Sequence, residues 1–382
     1  MDKKAKNIGH IKGFIFKCIG TRHTEAFLAF LLKHRHKVPP VTFPIDVASV
    51  KEILLLLPDQ RIDVLYQLKN IISLISRFKH AAVTLLCEKD TAQLIKMIPG
   101  LNVIEYSAES RQSYSNEFIA LAHGFRDIVD ICFLLDKNPD LPMLYFTGLT
   151  KAPARVGYLG AGNNPFLNLH VSPKDSRKYL PDWNCSMAEL FGATSEDIRW
   201  SIAPKTLEEI DHLLKESKIT RTEPLIGLDV QFYYSTFGAS WTENLIEHIK
   251  GLKKGELYLY TEKVPNGSER EWLSTRNLPV LTELSESRTA ALVSRSELII
   301  SGNTLFYVLA GLLNKPAVGL FKESEFELYC PQSDTLRGVT YSSASDPGVL
   351  EKVFEVISGF QPRRVIAREH TGSHRHKHAS KH

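Results

Sequence analysis

The stretch Ser301–Phe321, SGNTLFYVLAGLLNKPAVGLF, holds an apolar run that polar residues break twice, at Ser301-Gly302-Asn303 and at Asn314-Lys315-Pro316. Its pattern predicts a short buried strand over Glu297–Ile300, an apolar helix over Thr304–Leu313 and a second buried strand over Ala317–Phe321. Parallel strands joined by a helix leave a corner at the carboxyl end of the first strand, where open α/β sheets bind ligands. Backbone N–H groups at the start of that helix, near Asn303 and Thr304, favour an anion such as a diphosphate. Either side chain serves equally well as a plain helix cap.

Outward from this unit, strand-like and helix-like runs alternate. Toward the N-terminus lie ILLLL (Ile53–Leu57), a helical stretch from Val64 to Phe78, AVTLLCE (Ala82–Glu88), a helix around Thr91 to Met97, NVIEY (Asn102–Tyr106), DIVDICF (Asp127–Phe133) and ARVGY (Ala154–Tyr158), which closes the series. The pattern restarts with PLIGLDV (Pro224–Val230), a helix from Thr242 to Gly251, ELYLYTE (Glu256–Glu262) and LPVL (Leu278–Leu281). LEEIDHLLKES (Leu207–Ser217) is placed near the connection, and DPGVLEKVFEVISGF (Asp346–Phe360) reads as a final amphipathic helix. Two successive sets imply an α/β chain of two Rossmann-like, doubly wound domains facing a cleft. No internal sequence repeat is evident. The expected divisions are a basic N-terminal extension over residues 1–50, an N-terminal domain over 51–205, a C-terminal domain over 206–345, a terminal helix over 346–360 and a basic, His-rich, disordered tail over 361–382.

A chain of 382 residues with 43% hydrophobic content has ample material for two cores. No apolar run reaches the roughly 20 residues needed to span a bilayer, and no signal-peptide pattern opens the chain, so a cytoplasmic location is expected. The five cysteines form no Cys-x-x-Cys pair, which points to reduced, mostly buried thiols and away from zinc or disulfides. The net charge of +4 is unevenly spread: residues 1–40 carry nine Lys/Arg against two acids and residues 361–382 six against one, leaving a net of −8 between. Such ends fit either an anionic membrane surface, with peripheral attachment at the inner face of the plasma membrane, or solvated termini. Nucleic acid is not expected, because no basic-aromatic or helix-turn-helix signature is present. His370, His374, His376, His378 and His382 crowd the tail without forming a catalytic cluster.

ILLLLPDQRIDVLYQLKNIISLISRF (Ile53–Phe78), ARVGYLGAGNNPFLNLHV (Ala154–Val171) and the Ser301–Phe321 stretch, in this order and spacing, resemble the lipopolysaccharide heptosyltransferases of glycosyltransferase family 9. The resemblance spans about Ile53 to Phe360 and implies the GT-B architecture of two Rossmann-like domains. It also implies an inverting, metal-independent transfer with no cofactor. The sugar, a heptose or a relative, would move from a nucleotide diphosphate, ADP-heptose first among them, to a lipid-linked glycan acceptor such as the lipopolysaccharide core. The N-terminal domain would take the acceptor and the C-terminal domain the nucleotide sugar.

By the same resemblance Asp63, in the Asp63-Val64 pair after the first strand, is the general base; read locally, it is equally a helix N-cap. The family's preceding glycine is Ile62 here. The family's acidic residue, hydroxyl residue, glycine and histidine of the donor corner fall on Asn303, Thr304, Leu305 and Val308, so only the hydroxyl is kept. Gly302, Asn303 and Thr304 are the donor-binding candidates in that corner. After PLIGLDV the family's diphosphate-binding turn matches QFYYSTFGASW, which supplies Ser235, Thr236 and Ser240 but no lysine. Glu262, ending ELYLYTE, is placed to meet a ribose hydroxyl, or is an ordinary exposed strand-end glutamate. These departures keep a second reading open, that of a catalytically impaired relative acting as a binding or scaffold protein.

Overall fold

The computed structural model describes residues 40–360, apart from residue 99 and residues 160–165, 174–177, 195–201, 221, 332 and 347. The N-terminal extension up to residue 39 and the His-rich tail therefore lie outside the described residues. Among the described residues, twelve strands form two six-stranded parallel sheets. The first contains β1 (Glu52–Leu56), β2 (Ala82–Glu88), β3 (Asn102–Tyr106), β4 (Ile131–Leu134), β5 (Ala154–Tyr158) and β6 (Leu169–Val171) in the order β3-β2-β1-β4-β5-β6. The second contains β7 (Leu225–Asp229), β8 (Glu256–Thr261), β9 (Val280–Thr282), β10 (Leu298–Gly302), β11 (Ala317–Lys322) and β12 (Leu336–Tyr341) in the order β12-β11-β10-β7-β8-β9. Each sheet runs 3-2-1-4-5-6 in its own count, the doubly wound order whose switch point falls between its first and fourth strands. A structural repeat is thus present where the sequence shows none.

Helices cover both faces of each sheet, which is why the central strands are unbroken apolar runs: Leu54, Leu55 and Leu56 of β1 are fully buried. The helix Arg61–Arg77 carries Val64, Leu65, Leu68, Ile71 and Leu74 at helical spacing along its buried side, with Asp63 in its first turn and Arg77 in its last. Those residues share one apolar cluster with Leu305, Phe306, Val308 and Leu309 of the second half. The core therefore passes without a break from one sheet to the other. Pro204–Glu216 sits on the second half, fastened to the helix Glu286–Arg295 by Arg288–Glu209 (2.8 Å) and Arg295–Asp211 (2.7 Å).

Four expectations are corrected. ARVGY does not close the first sheet, because β6 follows it; three residues with an exposed His170 in the middle are too short to show a period. β12, half-exposed over much of its length, also escapes the hydrophobic pattern. DIVDICF contributes only its second half to a strand, since Asp127 turns with φ 59°. QFYYSTFGASW is not a turn: Val230–Phe237 and Ala239–Gly251 are helices joined at Gly238, whose φ of 84° breaks the run. Cys87, Cys132, Cys185 and Cys330 are buried free thiols, as expected.

Candidate active site

β1 and β4 lie side by side, so the chain beyond them meets at the first switch point. There Asp63, from the first turn of the Arg61–Arg77 helix, lines a cavity of about 230 Å3 with Asp136, Lys137, Asn138 and Gln67, while Tyr329 closes it from the second half. Asp63 is not the N-cap, a position Gln60 occupies without a side-chain bond. Burial raises the Asp63 carboxyl above the usual range, the charge of Asp59 adds to this, and Lys137 opposes it. Asp136 is pushed up to about 6, mainly by burial and against the bond that its Oδ1 accepts from the Asn138 N–H (2.8 Å). Asp63, with its carboxyl raised, stands beside Asp136, whose pKa of about 6 suits proton exchange near neutral pH. The buried guanidinium of Arg111 gathers Asp59, Glu88 and Asp140, each at 3.0 Å, and the charges of Asp59 and Asp140 reach Asp136.

The second switch point lies between β7 and β10, whose register sets Leu228 beside Ile300 and so Asp229 beside Ser301. Asp229 caps the Val230–Phe237 helix by accepting the Phe232 N–H (3.2 Å) through Oδ1. Its Oδ2 is 2.8 Å from the Ser301 hydroxyl and 2.8 Å from the Thr304 hydroxyl, and those two hydroxyls are 2.8 Å from each other. Two hydroxyl protons cannot fill three contacts; a proton on Asp229 completes the ring. Burial accordingly pushes Asp229 up to about 6 despite these hydrogen bonds. Because Thr304 is engaged this way, it does not cap the Leu305–Leu312 helix with its side chain.

Three contacts join the corners. The Asn303 side-chain oxygen accepts the Tyr66 hydroxyl at 2.9 Å, and Arg61 pairs with both Glu262 and Glu286, the latter at 2.9 Å. These contacts bring Glu262, and Asn303 with its neighbours Gly302 and Thr304, against the Arg61–Arg77 helix that carries Asp63. Gly302 is there for packing, since a Cβ would collide with the Phe232 ring. Ser235 sits late in its helix, exposed, donating to the Phe232 carbonyl (3.1 Å), and Ser240 is exposed in the next helix. Thr236 is half-buried beside Ser235. Val308, at the family's histidine position, lines a neighbouring cavity of about 460 Å3 with Tyr66, Tyr179, Tyr307 and Tyr329. Arg61, Asp136 and Asp229 escaped the sequence reading, and Ser301 was read only as part of the polar corner. Asp229 ends PLIGLDV and Arg61 stands two residues before Asp63, so position at a strand end was the available signal.

No family model matches the chain, and no curated protein matches it. Solved structures do. A glycosyltransferase of family 9 from Veillonella parvula DSM 2008 superposes with a TM-score of 0.65 at 16% identity, over 76% of this chain and 86% of that one. The E. coli ADP-heptose lipopolysaccharide heptosyltransferase II gives 0.61 at 15% identity, over 80% and 97%. The E. coli heptosyltransferase WaaC with ADP gives 0.59 at 14% identity, over 80% and 98%. The chain thus has the two-domain α/β fold of these heptosyltransferases and of the family 9 glycosyltransferase.

Proposed function

We propose that the protein is a glycosyltransferase that moves a heptose or related sugar from a nucleotide diphosphate to the lipopolysaccharide core or another lipid-linked surface glycan. The observation that carries this reading is the pairing of the two switch points: carboxyls of raised pKa on one side of the cleft, a carboxyl-hydroxyl corner at a helix start on the other. Residues 51–205 would receive the acceptor and residues 206–345 the donor, and the fold neighbours solved with ADP and with an ADP-heptose analogue make ADP-heptose the first donor to test. In the transfer the acceptor hydroxyl attacks the anomeric carbon, the bond from that carbon to the diphosphate oxygen breaks with inversion, and Asp63 takes the hydroxyl proton. Asn303 and Thr304 face the donor, and Glu262 accepts from its ribose. No metal is assigned a role.

Asp63→Asn tests the assignment. Turnover should fall by about 100-fold or more with nucleotide binding intact. In the wild type the rate should fall as pH drops through a value above the ordinary carboxylate range, because burial raises the Asp63 pKa and only the ionised form accepts a proton. An unchanged rate in the variant would remove Asp63 from the mechanism. A thermal-shift panel of ADP-, UDP-, GDP- and CMP-sugars identifies the donor, since a ligand at about 100 times its dissociation constant adds roughly 2.7 kcal/mol. Donor binding without transfer to any acceptor would instead favour the impaired, binding-only relative. The basic ends would hold the enzyme at an anionic membrane surface, and vesicle co-sedimentation that persists unchanged at high salt would contradict this.

A further inference from the structure

A nucleotide diphosphate brings two negative charges into the cleft, and its departure in the transfer adds to them, so the site needs a cation aimed at the phosphates. The segment after β7, from Asp229 to Gly238, contains neither lysine nor arginine, and its end contributes a buried carboxyl. Arg61 stands on the other side of the cleft, in the first turn of the Arg61–Arg77 helix and two residues from Asp63. Its guanidinium crosses to the second half, bonding Glu262 at the end of β8 and Glu286 at the start of the Glu286–Arg295 helix. Its side chain remains about one-third exposed, at 34%. A carboxylate that accepts from the ribose hydroxyls and a cation that meets the diphosphate lie within a few bonds of each other along the ligand, so two side chains that touch can serve both. Arg61 is already bonded to that carboxylate.

We infer that Arg61, supplied by the acceptor half, is the counter-charge for the donor's diphosphate, in place of a cation from the donor half. This rests on the reading of the cleft as a nucleotide-diphosphate site. Donor binding is then an exchange of partners: Glu262 turns to the ribose hydroxyls while the guanidinium, keeping its planar set of donors, turns to the phosphate oxygens. Glu286 competes with the phosphate for the same guanidinium. The exchange also gives donor binding a contact from both halves of the molecule, two residues from the proposed base.

Calorimetric titration of ADP, UDP and GDP against the matching nucleosides, on the full chain, tests this. Arg61→Gln should weaken the diphosphate that binds by about 10-fold or more while leaving its nucleoside unchanged, and Arg61→Lys should recover part of the loss. Glu286→Gln should tighten the diphosphate and not the nucleoside, because it removes the competing carboxylate. This variant leaves Arg61 in place and so carries the test if Arg61→Gln does not fold. Lys263→Ala, beside Glu262, should change neither. Equal effects on diphosphate and nucleoside, no gain in Glu286→Gln, or a selective diphosphate loss in Lys263→Ala would overturn the role of Arg61 while leaving the donor reading intact. A wild type that binds none of the three diphosphates would overturn both.

Discussion

Asp229 shows how a single buried proton can be read from geometry. Its raised folded pKa means that the fold favours the neutral form, so its contribution to stability is complete below the unfolded carboxylate value of about 3.9 and is lost as pH rises through about 6. Asp229→Asn supplies a permanent donor to the Ser301–Thr304 pair and keeps an acceptor for the Phe232 N–H. Measured by denaturant unfolding, the variant should gain on the wild type by about 2–3 kcal/mol between pH 4 and pH 7. Parallel stability curves would mean that Asp229 titrates alike in both states. At this scale the sequence was least informative. Asp63 and Asn303 stood out because they follow strands, yet Asn303 is bonded to Tyr66, 237 residues away along the chain, and Glu262 to Arg61, 201 away. Pattern carries no signal for partners that far apart.

Central strands were legible because burial on both faces leaves mostly apolar residues: Ala154–Tyr158, inside the first sheet and buried throughout, matches the expected span residue for residue. Short or half-covered strands, β6 and β12, were not. The segment after β7 was misread because the family resemblance put a turn on QFYYSTFGASW, while Val230 and Tyr233 bury the helix that contains Ser235 and Thr236 and Asp229 caps it. The glycine still marks something real. Gly238 has φ 84° and ψ 173°, a backbone conformation closed to other residues, and no atom lies within 4 Å of where a Cβ would stand. Gly238→Ala should therefore lose about 1–3 kcal/mol through backbone strain alone, seen in chemical unfolding. A cost near zero would show that the junction between the two helices relaxes freely.

The two sheets were legible as a pair, since the restart of the strand pattern at PLIGLDV is their boundary, but their closeness was not. The apolar cluster that runs from Leu68 and Ile71 to Phe306 and Leu309 makes each half part of the other's interior. Calorimetry should accordingly record one cooperative transition, and two well-separated peaks would show that the halves unfold independently. The same continuity sets a clock on the newborn chain. The Arg61–Arg77 helix leaves the ribosome well over 200 residues before Leu305–Leu312 arrives to cover part of it. At about 5–20 residues per second this wait lasts roughly 10–50 s, during which an oily flank of the half-made protein faces the cytosol and whatever chaperones patrol it.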